Sequence, residues 1–219
     1  MSGVEEATTA LAGRLRSIGI LPVVELARAE DAVPLAEALV AGGLPCVEIT
    51  LRTPEAAAGI TAIRAALPDI LLGAGTVLSV EQLEIAVAAG ADFAVAPGTN
   101  PRVVEASLAR GLPMLPGVAT PSEIETARAL GLRTLKLFPA ELLGGAAYIS
   151  ALGGPYRDVA FVPTGSITPE TLPGYLALPQ VVACGGSWMV RPALVAAGQF
   201  DRIRELAADA VRSVRSARA

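Results

Sequence analysis

Short, largely apolar runs recur along this chain at intervals of roughly two dozen residues, and alanine-rich segments fill the gaps. The runs lie at 20–25, 46–50, 71–75, 93–96, 114–116, 134–138, 160–163 and 181–184. They are too short for buried helices and lack the in–out alternation of a half-exposed strand. Continuous apolar character marks strands covered on both faces, the habit of parallel sheets flanked by helices. Helical patterns separate them at 31–41, 54–67, 80–89, 101–109 and 121–130, with less distinct stretches at 146–152 and 169–176. A last helix is expected over 200–215.

Helix boundaries support this division. Thr53-Pro54, Asn100-Pro101, Thr120-Pro121 and Thr168-Pro169 each pair a capping side chain with proline at the first helical position. Gly42, Gly90, Gly111 and Gly131 follow the ends of four helices. Eight strand–helix units in 219 residues predict an α/β chain of one domain, 1–219, folded as a small (β/α)8 TIM barrel. The segment 1–16 reads as an extra N-terminal amphipathic helix. An open doubly wound sheet is the competing architecture, but no Gly-x-Gly-x-x-Gly turn follows an early strand.

Composition removes several classes of function. Hydrophobic residues make up 53%, and mean hydropathy is +0.55, yet no run of apolar residues is long enough to span a membrane. The start lacks the basic and apolar segments of a signal peptide. Net charge is −4, with no basic stripe that would bind nucleic acid. Cys46 and Cys184 sit far apart in apolar runs, as buried thiols of a cytoplasmic protein do. Histidine is absent, so proton transfer falls to carboxylates, tyrosine, lysine or water, and neither a His triad nor a His metal site can form.

One residue stands apart. Of 17 basic residues, 16 are arginine and one is lysine, Lys136. It lies in Arg133-Thr-Leu-Lys-Leu-Phe-Pro139, within a strand, where a solvated surface lysine has no place. Desolvated lysine is a nucleophile that forms Schiff bases, whereas arginine keeps its charge. Other polar residues also fall at strand ends, where such barrels do their chemistry. Glu48 lies in the second strand, with Arg52 four residues on and so on the same face if the chain stays extended. The pair reads either as a base beside an anion-binding guanidinium or as a structural lock. Thr76 closes the third strand, as a cap for the next helix or a substrate ligand. The last two strands end in Pro163-Thr-Gly-Ser166 and Cys184-Gly-Gly-Ser187, glycine-serine loops of the kind that take phosphate on main-chain N–H groups. No Lys or Arg stands beside them in sequence.

Taken together, Val47-Glu-Ile-Thr-Leu-Arg-Thr53, Gly73-Ala-Gly-Thr-Val-Leu78, Lys136-Leu-Phe-Pro-Ala140, Pro163-Thr-Gly165 and Gly185-Gly-Ser-Trp188 resemble the 2-keto-3-deoxy-6-phosphogluconate (KDPG) aldolase family, which overlaps with 4-hydroxy-2-oxoglutarate (KHG) aldolase. The resemblance covers nearly the whole chain. It implies a cytoplasmic, metal-free and cofactor-free class I aldolase that cleaves a keto acid to pyruvate and an aldehyde. Lys136 would be the Schiff-base lysine and Glu48 the acid/base. Arg52 and Thr76 would hold the pyruvate carboxylate, and Phe138 would pack by the reacting centre. Thr164, Gly165, Ser166, Gly185, Gly186 and Ser187 would line the phosphate end. The family is commonly a homotrimer. Its members usually carry Gly-Gly where this chain has Gly165-Ser166; a positive φ at the second position would strain serine. Two other readings are a sugar-phosphate barrel enzyme using Lys136 only as a charge, and a non-catalytic oligomeric scaffold.

Overall fold

A computed structural model describes residues 3–218; Met1, Ser2 and Ala219 lie outside it. Among the described residues there are nine strands: β1 (Ile20–Val24), β2 (Cys46–Thr50), β3 (Leu71–Gly75), β4 (Phe93–Val95), β5 (Met114–Leu115), β6 (Gly117–Val118), β7 (Thr134–Leu137), β8 (Ala160–Pro163) and β9 (Cys184–Gly186). The helices are α1 (Gly3–Ile18), α2 (Ala32–Ala41), α3 (Ala56–Ala66), α4 (Val80–Ala88), α5 (Pro101–Ala109), α6 (Pro121–Ala129), α7 (Gly145–Leu152), α8 (Leu172–Leu176), α9 (Pro192–Ala196) and α10 (Phe200–Arg218). Every strand pairing is parallel. One sheet runs β5-β4-β3-β2-β1-β9 and the other β6-β7-β8. Two isolated parallel bridges, Phe161 with Val181 and Thr164 with Gly185, carry the β8 edge toward β9.

The result is an α/β fold whose parallel strands form a curled sheet with two unlike faces. Side chains alternate along each strand, so neighbours in sequence face opposite ways. Val24, Val47, Ile49, Leu72, Ala74 and Ala94 join the large core shared with the helices. Leu21, Cys46, Leu71, Phe93, Val95, Leu115 and Val162 form a separate inner cluster. Leu11 and Leu15 of α1 belong to that inner cluster, so the N-terminal helix closes one end of the concave face. Cys46 and Cys184 are both buried and unlinked, and burial pushes the Cys46 thiol up to about 12.

Some boundaries differ from the sequence expectation, each for a local reason. The fifth strand stops at Leu115, since Pro116 has no N–H for the ladder, and pairing resumes beyond the expected run at Gly117–Val118. The last strand lies three residues later than its apolar run, because Leu21 and Pro22 of β1 pair with Gly185 and Gly186. Asn100 and Thr120 cap α5 and α6 as expected; Thr120 forms a reciprocal capping box with Glu123. Thr53 and Thr168 do not cap. The third helix starts at Ala56 and leaves Thr53 Oγ1 buried without a hydrogen-bond partner. Thr168 instead exchanges hydrogen bonds with Thr171 in a turn before α8.

Candidate active site

All five residues of β2 are buried, and alternation places Cys46, Glu48 and Thr50 on its inner face. A carboxylate there needs a partner, since an unpaired buried charge is costly. The partner comes from β7. Lys136 Nζ lies 3.5 Å from Glu48 Oε1, at the long end of hydrogen-bond range, with the two side chains 8% and 1% exposed. The neighbouring strands make room by carrying glycine. Gly73 lies opposite Glu48, Gly75 opposite Thr50, and Gly117 opposite Lys136. A Cβ at Gly75 would run into the carboxyl end of Glu48. Phe138, two residues beyond Lys136, sets its ring centroid 5.6 Å from Nζ. Its ring is partly exposed, so it stands between the buried amine and solvent.

Thr76 follows β3 directly, half-buried, with a left-handed backbone at φ 59. It does not cap the next helix: Ser79 does, its Oγ accepting from the N–H of Gln82. This removes the structural reason for a threonine at 76. The hydroxyl of Thr50 is engaged, donating to the carbonyl of Val24 at 2.9 Å.

The loops beyond β1, β2, β8 and β9 enclose a cavity of about 250 Å³. Thr164, Gly165 and Ser166 line one side, and Gly185, Gly186 and Ser187 another. The N–H groups of Ser166 and Ser187 have no main-chain acceptor among the described residues. Gly185 must be glycine because the side chain of Thr164 occupies the place of its Cβ. Ser166 has φ 58, so the residue that stands where the family usually has glycine does take a left-handed backbone.

Arg52 is where the sequence expectation needs correcting. The chain turns away after Thr50, so Arg52 does not share a face with Glu48. It reaches the loop cavity instead, with its side chain 60% exposed, and pairs with Glu25 at 2.7 Å. An arginine therefore does accompany the glycine-serine loops, contrary to what their sequence neighbourhood suggests.

A buried lysine–carboxylate pair, with an anion-sized cavity lined by Thr50 at the end of the strand that carries Glu48, is the equipment of an imine-forming enzyme. Comparison with known families bears on this directly: the model for the KDPG and KHG aldolases matches residues 11–206. The chain belongs to this aldolase family. A 2-dehydro-3-deoxy-phosphogluconate aldolase of Treponema pallidum is 53% identical over 200 residues, 91% of this chain and 95% of that protein. The crystal structure of KDPG aldolase from Legionella pneumophila, with pyruvate captured at low pH as a covalent carbinolamine intermediate, is similar at a TM-score of 0.87 and 38% identity. The match covers 90% of this chain and 96% of that one. A KDPG aldolase structure from Zymomonas mobilis with 3-phosphoglycerate gives 0.84 and 39%, covering 91% and 94%.

In this aldolase the residue that sequence reasoning missed is Glu25. It sits one position past β1 and touches Arg52 across 27 residues of sequence. A charged residue ending an apolar run is the only signal it leaves in the sequence.

Proposed function

We propose that this aldolase cleaves 2-dehydro-3-deoxy-6-phosphogluconate reversibly to pyruvate and glyceraldehyde 3-phosphate through a Schiff base on Lys136. The observation that carries the reading is the chain's one lysine, buried within 3.5 Å of a buried carboxylate. Proton transfer from Lys136 to Glu48 leaves a neutral amine. That amine adds to the C2 ketone, the protonated Glu48 returns its proton to the departing hydroxyl, and loss of water gives an iminium beside a carboxylate again free to act as base. Glu48, directly or through a water, then takes the C4 hydroxyl proton. The C3–C4 bond breaks, the aldehyde departs, and the bonding pair passes into the iminium to give an enamine. The enamine takes a proton at C3 from the same carboxyl, and water releases pyruvate and restores the amine. One carboxyl serving each transfer suits a chain without histidine.

Arg52 and Thr76 are assigned to the keto-acid carboxylate. Arg52 is exposed enough to swing from Glu25, and guanidinium offers a forked contact. The unpaired N–H groups of Ser166 and Ser187 support the loop cavity as the phosphate end. Phe138 limits water at the imine. The accompanying fold reading is a single-domain eight-fold barrel with the extra helix α1, counting β5 and β6 as one strand broken at Pro116. The isolated bridge of Thr164 with Gly185 of β9, and that of Phe161 with Val181 just before it, support closure. A cytoplasmic homotrimer completes the proposal. It rests on the family resemblance, and light scattering tests the size. No helix among the described residues is long and apolar enough to cross a membrane.

The test is intact mass after incubation with pyruvate and borohydride. A single pyruvyl adduct mapping to Lys136 is expected. An unlabelled, folded protein would overturn the Schiff-base reading in favour of a barrel that uses Lys136 only as a charge.

A further inference from the structure

The loop cavity has an unusual charge balance for an anion site. Its charged lining residues are Arg52 and Glu25, and they are bonded to each other. Their positions follow from the sheet. β1 lies between β2 and β9, with Val23 opposite Glu48 and Pro22 opposite Gly186. Glu25, just beyond β1, therefore emerges between the turn that carries Arg52 and the loop that carries Ser187. Its side chain is 41% exposed, and a carboxylate there faces the space that Ser166 and Ser187 also line.

We propose that Glu25 is a specificity-determining residue of this aldolase, holding down its preference for phosphorylated over unphosphorylated 2-keto-3-deoxy acids. The inference rests on the aldolase reading above. Two effects of Glu25 have to be separated. Its bond to Arg52 must open for the substrate carboxylate, but every keto-acid substrate carries that carboxylate, so this cost is common to all. Repulsion of the phosphate is not common. A cavity of about 250 Å³ is roughly 8 Å across, about one Debye length at physiological ionic strength. A phosphate bound on the loop amides thus lies within about a Debye length of the Glu25 carboxylate, where repulsion is only partly screened. The unphosphorylated substrate presents a hydroxyl at the same place, which a carboxylate accepts as a hydrogen-bond partner.

Glu25→Gln keeps the shape and an acceptor oxygen for Arg52 while removing the charge. The preference, measured as the ratio of kcat/KM for 2-keto-3-deoxy-6-phosphogluconate to that for 2-keto-3-deoxygluconate, should rise about three- to tenfold. The change should lie in KM, with kcat altered by less than about twofold, and it should shrink as salt is added. An unchanged ratio, or an equal gain for both substrates, overturns the proposal, since only the common Arg52 term would then have moved. Pyruvate–borohydride labelling separates this failure from a failure of the aldolase reading. If both proteins label on Lys136, the kinetic ratio judges Glu25 alone. If the unsubstituted protein does not label, the aldolase reading itself falls.

Discussion

The lysine end and the anion end of this site are built by opposite means. Lys136 and Glu48 project from strands, are almost wholly buried, and have glycines opposite them on the neighbouring strands. Arg52, Glu25, Ser166 and Ser187 belong to loops and are exposed in part, with Arg52 and Glu25 paired to each other. The first arrangement fixes a proton path and tolerates little change. The second sets which anion is welcome and can vary without disturbing the chemistry. On this view substitutions at the strand end should act on kcat, and those at the loop end on KM.

The severest test of the division is Lys136→Arg. The protein should fold, since positive charge beside Glu48 is retained, but aldol turnover should fall by several orders of magnitude because guanidinium forms no imine. Near-normal turnover would dissolve the distinction altogether. Glu48→Gln is expected to cut kcat by about 10²–10⁴, with the borohydride adduct still forming on Lys136. Unimpaired turnover there would move the proton work elsewhere.

Gly75→Ala sharpens the comparison, because it alters no functional group. The added methyl meets the mobile end of the Glu48 side chain, not main chain. Glu48 should therefore swing aside at small cost, with kcat lowered about tenfold or more and thermal stability nearly intact. Gly117 provides the contrast: a Cβ there meets the carbonyl of Pro97, so Gly117→Ala acts on folding. A Gly75→Ala protein that loses stability and keeps its kcat would mean that the inner glycines serve packing alone.

The division also explains what was legible in the sequence. Strands covered on both faces announce themselves as apolar runs, so seven of the eight runs coincide with a strand or, at Pro116, with a broken one. The eighth was displaced because glycine has weak strand preference and Gly185 and Gly186 owe their place to β1. Lys136 and Glu48 were visible because a charged residue inside an apolar run is anomalous wherever the chain goes. Arg52 was visible as a residue but misplaced, since its direction depends on how the chain leaves β2. Its pairing with Glu25 depends on two loop paths, which no periodicity encodes. Thr53 and Thr168 show the same limit for caps: the side chain was right for the role, but the helix began elsewhere.

The smallest expected effect lies at Ser166, where the loop end shows what it exchanges for binding. A serine at φ 58 costs on the order of 1 kcal/mol relative to glycine, which takes that region without a Cβ clash. Glycine also gives the unfolded chain more freedom, which returns part of the gain. Ser166→Gly should thus raise stability by about 0.5 kcal/mol, a Tm increase of roughly 1–2 °C for a chain of this size. The exposed hydroxyl is lost in the same change. If it donates to the phosphate, KM for the phosphorylated substrate should rise about two- to fivefold while kcat and the KM for the unphosphorylated substrate hold. The strain would then be retained for the sake of a contact. A stabilised protein with unaltered KM would instead assign phosphate recognition to the N–H groups alone, with the serine hydroxyl a bystander. A change in kcat would breach the boundary between the two ends, because Ser166 lines the loop cavity, whose lining does not include Lys136 or Glu48.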